Sequence, residues 1–124
     1  MTTFAEVIPE HCPPGDAFQP QGLEVFRMIE SAPPTDIDFQ SHAVRWPEKF
    51  GHRTDCDYWS VSVFARLESL SRIRGLKAHR HKKVARMVLV PESGKVQQTG
   101  QDEDHYSWWR FASFNPIPCC EVAE

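Results

Sequence analysis

With 124 residues, 40% of them apolar and 14 aromatic (4 Trp, 2 Tyr, 8 Phe), the chain has the length of one domain and the buriable surface for one core. Ten prolines against six glycines argue against a long helical bundle, because proline removes a backbone donor and breaks helix interiors. A formal net charge of -3, from 14 Lys and Arg against 17 Asp and Glu, does not favour a general nucleic-acid binder.

Residues 1–21 carry Pro9, Pro13, Pro14 and Pro20 and little periodicity, so they read as an extended or partly disordered arm without helix, ahead of a single domain over 22–124. In 22–29 (GLEVFRMI) Leu23, Val25 and Arg27 alternate with Glu24, Phe26 and Met28, the period of a first strand, with a short helix as the competing reading. Pro33 and Pro34 mark a turn, after which Asp38 can cap a helical turn through Phe39, Ser41 and His42. Residues 45–57 have no period and read as a long loop, and long loops without secondary structure tend to carry function.

The clearest signal is 58–75. In YWSVSVF, Ser60 and Ser62 share one face of a strand and Trp59, Val61 and Val63 the other. Leu67, Leu70, Ile73 and Leu76 then recur every three residues before and around Gly75, which predicts one main helix over about 65–75 packed on the sheet. Residues 82–90 (KKVARMVLV) form a second strong strand, closed by Pro91 and a turn through Gly94, and 95–98 is expected to pair with it. An acidic loop, Asp102, Glu103 and Asp104, delivers the aromatic strand HYSWWRF at 105–111, and Pro116 and Pro118 isolate a last short strand at 119–122. The expected fold is α+β: a small mixed or antiparallel sheet, in one or two layers, with the helix against it.

Cys12, Cys56, Cys119 and Cys120 form no Cys-x-x-Cys pair, which excludes a zinc ribbon. The first 14 residues hold Glu6, Glu10 and His11 and no basic leader followed by an apolar run, and no stretch approaches the roughly 18 apolar residues of a membrane span. The expectation is a soluble cytoplasmic protein with reduced thiols and no membrane partner.

Several side chains stand out chemically. Ser60 and Ser62 can present two hydroxyls to a ribose or phosphate, or form the wetted face of an edge strand. Arg27 inside an apolar strand needs a buried carboxylate such as Asp38 or Glu30, an exit to solvent, or an anionic ligand. His105 follows three carboxylates that can raise its pKa and fix its tautomer, which suits acid/base work, although Trp108 and Trp109 beside it point to opposite faces and at least one belongs to the core. His42, His52, Asp55, Cys56 and Asp57 match no metal-ligand spacing, so no metal is assigned. Seven of the 14 basic residues lie between Arg72 and Arg86, and without interleaved aromatics they suit a solvated face or a protein partner better than nucleic acid.

Five elements, VFRMI at 25–29, DFQS at 38–41, SVSVF at 60–64, VARMVLVP at 84–91 and HYSWW at 105–109, give the chain a pattern that resembles a group of short bacterial proteins over residues 25–111. Their order is also similar to the minimal ADP-ribosyltransferase-like fold of small toxins and tRNA phosphotransferases, in which an early Arg or His and a Ser-bearing strand line an NAD cleft. The resemblance implies NAD as cofactor, bound by Arg27, Ser60 and Ser62, and a toxin-like effector as one setting. Many transferases of that fold use a late Glu; here His105 and Tyr106 stand at that place as catalytic candidates, with Glu103 displaced. The alternative reading is a non-catalytic protein–protein interaction module that uses the aromatic and basic surfaces.

Overall fold

The computed structural model describes residues 3–75 and 81–123. Six strands, β1 (Leu23–Ile29), β2 (Val61–Phe64), β3 (Lys83–Leu89), β4 (Gly94–Gln98), β5 (His105–Arg110) and β6 (Glu121–Val122), form one sheet in the order β4-β5-β2-β1-β3-β6. Every neighbouring pair is antiparallel. Among the described residues three α-helices accompany it: α1 (His42–Arg45), α2 (Pro47–Phe50) and the longest, α3 (Leu67–Arg74), so the fold is α+β. Among the described residues no helix is long and apolar enough to cross a membrane.

The pairing is uneven, and that unevenness makes the site. β1 pairs with β3 along all seven residues, from Leu23 opposite Leu89 to Ile29 opposite Lys83, and β2 pairs with β5 along all four. Between β1 and β2 only Phe26 and Phe64 are paired. The sheet is therefore two ladders joined at a single position, with a gap that opens past it.

The alternation of β2 separates core from site. Val61 and Val63 are buried and join Val25, Phe39, Met87, Leu89, Val96 and Trp108 in the core, while Ser62 and Phe64 take the opposite face. Trp108, at 0% exposure, donates its indole N–H to the Ser93 carbonyl at 3.1 Å, which satisfies the one polar group of an otherwise apolar side chain. Trp109, on the other face, is also buried and donates to the Cys56 carbonyl at 3.1 Å. Neither tryptophan is surface.

Several expectations are corrected. Residues 95–98 belong to β4 and pair with β5, because β3 already has β1 on one edge and β6 on the other. Tyr58 and Trp59 are not strand: they close a 3-10 turn, Cys56–Trp59, in which Tyr58 and Ser60 donate to the Asp55 and Asp57 carbonyls, and an aspartate-rich start favours such local bonds over a ladder. The loop 45–57 contains α2, started by Pro47 at a position where a missing donor costs nothing. Ser41, not Asp38, caps α1 by accepting from the Val44 N–H at 3.3 Å. Leu76 and the basic residues Lys77, His79 and Arg80 lie outside the described residues.

The arm lies over the domain as extended chain, with Phe4 bridging to Phe111 and Phe18 to Val96. The expectation of reduced thiols fails at one pair. Cys12 and Cys56, 44 residues apart, form a disulfide that ties the arm to the loop before β2. Nothing in their sequence spacing signals it, because the fold alone brings them together.

Gly94 opens β4 at φ 140°, where a Cβ would overlap the Trp109 carbonyl and crowd the Trp108 indole nitrogen. Backbone strain of this kind costs about 1–3 kcal/mol before any overlap is counted. Gly94→Ala is expected to destabilise the protein by at least that much in urea titration; a loss below about 0.5 kcal/mol would show that the β3–β4 turn relaxes freely.

Candidate functional site

Past the Phe26–Phe64 pair, the gap between β1 and β2 is spanned by Arg27. Its Nε donates to the Asp38 carbonyl and its Nη1 to the Ser62 carbonyl, both at 2.6 Å. The second bond satisfies a β2 carbonyl that faces the gap left where the β1 ladder stops. Asp38 is fixed in turn: its carboxylate accepts from the Glu30 N–H at 2.7 Å and the Thr35 N–H at 2.9 Å. Arg27's partner is thus the main chain of Asp38, while the carboxylate beside it supplies charge. Burial lowers the Arg27 pKa to about 10, with Asp38 opposing the shift and Arg45 adding to it, so the guanidinium stays protonated at neutral pH.

Above this bridge lies a cavity of about 300 Å³. Arg27, Ser62 and His105 line it from three adjacent strands. Gln40, His42, Arg45 and Trp46 approach from α1 and its flanks, Leu70 and Ile73 from α3, and Glu30 and Lys82 from the chain just outside β1 and β3. A second, more open hollow shares Phe64, Ile73 and His105 and continues toward Ser69, Arg72 and Asp102.

His105 is held at both ring nitrogens. Nδ1 lies 3.0 Å from the Thr99 carbonyl and 3.0 Å from Thr99 Oγ1, and Nε2 lies 3.1 Å from Ser62 Oγ. With Nδ1–H donated to the Thr99 carbonyl, Nε2 is the acceptor that faces the Ser62 hydroxyl, a tautomer assigned from the network. Thr99 Oγ1 also meets Ser107 Oγ at 2.8 Å. The Phe64 ring meets the imidazole edge-on at 5.0 Å. The partners of the His105 ring are hydroxyls and a carbonyl, not the carboxylates of Asp102 or Asp104: the Asp102 carboxylate accepts from its own loop, the Asp104 N–H at 2.9 Å. The arrangement places a fixed imidazole base within reach of one hydroxyl proton.

The remaining candidates stand apart. Ser60 is buried and its hydroxyl donates to the Asp57 carbonyl at 2.8 Å, so it closes the turn instead of facing the cavity. Tyr106 pairs with Val63 and packs against the core on the opposite face from His105. The strand alternation that brings His105 and Ser62 together turns Tyr106 away, whereas Ser60 lies in the turn ahead of β2. Cys56 is in the disulfide; among the described residues the one group with metal-capable atoms close together is His11, Cys12 and Cys56, within 4.8 Å of one another.

Sequence reasoning did not single out Arg45, Trp46 or Lys82. Arg45 Nη2 and Lys82 Nζ lie 3.6 and 3.4 Å from Glu30 Oε1, and His81 Nε2 lies 3.1 Å from Glu30 Oε2. These partners, His81 first and then Lys82 and Arg45, hold the Glu30 carboxyl below its usual range against the opposing effect of burial. The Arg45 guanidinium also lies 4.7 Å over the Trp46 ring. His42 stands between Trp46 and Phe50, and burial, followed by the charges of Arg27, Arg45 and Lys82, lowers its pKa. The only signal available beforehand was the spacing of His42, Arg45 and Trp46 at three and four residues, which gathers them on one side of a helical turn.

Compared with family models, curated proteins and solved structures, the chain finds no match in any of the three.

The depressed His42 has a signed consequence. Its unfolded pKa is the ordinary 6.5 and its folded value lies below that, so in this window the unfolded chain binds the proton more tightly. The His42 contribution is fully present above about pH 6.5 and is lost as pH falls through it. Proton-detected titration of the imidazole is expected to give a midpoint below the ordinary 6.5; an equal or higher midpoint would contradict a cationic, partly dry cavity.

Proposed function

We propose that the cavity is a nucleotide-binding cleft of the ADP-ribosyltransferase-like kind, with NAD as its ligand. One observation carries the reading: Arg27, Ser62 and His105, far apart in sequence, line a single cavity. Phosphate groups suit the surrounding cations Arg27, Arg45 and Lys82, which outnumber the carboxylates Glu30 and Asp38 there. A ribose suits the Ser62 hydroxyl and His105 imidazole, and a heteroaromatic ring suits the Trp46 and Phe64 side chains. The volume is at the lower end of the roughly 300–1,000 Å³ of small-molecule sites.

In this reading His105 positions or accepts a proton from a ribose hydroxyl through Nε2, and Ser62 orients that hydroxyl. Tyr106 and Ser60 have no direct part, since they face the core and the Asp57 turn. Arg27 shapes the cleft and adds positive charge, its Nε and Nη1 being engaged by carbonyls. The reaction class is transfer of an ADP-ribosyl group with release of nicotinamide, in a toxin-like effector. The alternative of an aromatic interaction surface draws no support from Trp108 and Trp109, which are inside.

Calorimetry with NAD tests the reading. Wild-type protein is expected to bind NAD, and Ser62→Ala and His105→Ala are each expected to weaken binding by about 0.5–1.5 kcal/mol with little change in melting temperature. Arg27→Ala is expected to lower both binding and stability, because two partly buried carbonyls lose a charged donor. No heat at millimolar NAD, or equal binding by His105→Ala, would overturn the assignment.

A further inference from the structure

Two cations of the cavity face each other across one carboxylate. Arg45 ends α1, Lys82 precedes β3 and Glu30 follows β1, so three separate elements meet at this point. The side chains of Arg45 and Lys82 are 26% and 20% exposed, more enclosed than the 37% of the Glu30 carboxylate between them. The separations of 3.6 and 3.4 Å exceed the roughly 2.7–2.9 Å of a charge-assisted hydrogen bond. Glu30 therefore neutralises both cations without saturating either. Its backbone is moored independently by the N–H bond to Asp38, so its side chain can move aside without loosening the end of β1.

We propose that Arg45 and Lys82 form a subsite for a diphosphate group and that Glu30 is its built-in competitor. This rests on the nucleotide reading of the same cavity and extends it by assigning the phosphates to α1 and the β3 entry. A diphosphate brings more oxygens and more charge than one carboxylate, so it can approach both cations closely while Glu30 turns toward solvent and keeps its His81 partner. Binding is an exchange of one anion for another, and the resident carboxylate tunes its strength. The contrasting role is a plain cross-strand ion pair: Glu30 and Lys82 continue the register of Ile29 and Lys83, and such a pair would stabilise the sheet end without concerning any ligand.

Calorimetric titration with inorganic pyrophosphate separates the two. Glu30→Gln is expected to bind pyrophosphate about three- to tenfold more tightly than wild type, the factor that two partly exposed ion pairs correspond to. Arg45→Gln and Lys82→Gln are each expected to bind it more weakly, and melting temperatures are recorded for all three variants. Unchanged or weaker binding in Glu30→Gln, or binding unaffected by Arg45→Gln and Lys82→Gln, would overturn the subsite. NAD is titrated in parallel. If NAD binds but pyrophosphate does not respond to these variants, the subsite fails and the nucleotide reading stands. If pyrophosphate responds as expected but is not displaced by NAD, the subsite stands and the nucleotide reading fails.

Discussion

A guanidinium that holds two carbonyls where a strand ladder stops is the interaction on which the rest of this structure depends. β1 and β2 part after one paired position, and an open sheet seam inside a protein leaves main-chain acceptors without donors. Arg27 supplies donors to Ser62 and Asp38 at once. Hydrogen bonds from a charged donor are worth about 1.5–3 kcal/mol each, enough to offset much of the cost of enclosing the charge. The seam is stable as a gap, and the cavity is the space above it.

The electrostatics of the cavity follow from that choice. One enclosed cation is balanced by Asp38, whose carboxylate is itself committed to two backbone N–H groups. Arg45 and Lys82 then add charge that, among the described residues, Glu30 offsets locally. His42 responds by resisting protonation. Fixed cations, the His42 imidazole and a hydroxyl within hydrogen-bond reach of His105 line one cavity, preorganised by the sheet.

Much of this was legible in the residues. The alternation in VFRMI, SVSVF and HYSWW placed β1, β5 and the Val61–Phe64 part of the second strand, and an arginine in an apolar strand announced that it needed partners. Parity along β2 and β5 could also have told which neighbours fall away: Ser62 and His105 share a face, and Tyr106 does not. What was not legible is long-range. The Cys12–Cys56 disulfide and the meeting of Lys82 with Glu30 and Arg45 each depend on contacts between segments tens of residues apart. Ser60 was misplaced by local competition, as an Asp-rich turn took its hydroxyl before the strand began.

We propose that three adjacent strands and α1 build one anion-binding cleft. Amide and imidazole chemical shifts recorded during an NAD titration test it most directly. The account predicts shifts concentrated on His42, Arg45, Ser62, Phe64 and His105, with His42 becoming easier to protonate as the bound phosphates offset the cations around it. Shifts confined to other surfaces, or none at millimolar NAD, would contradict it.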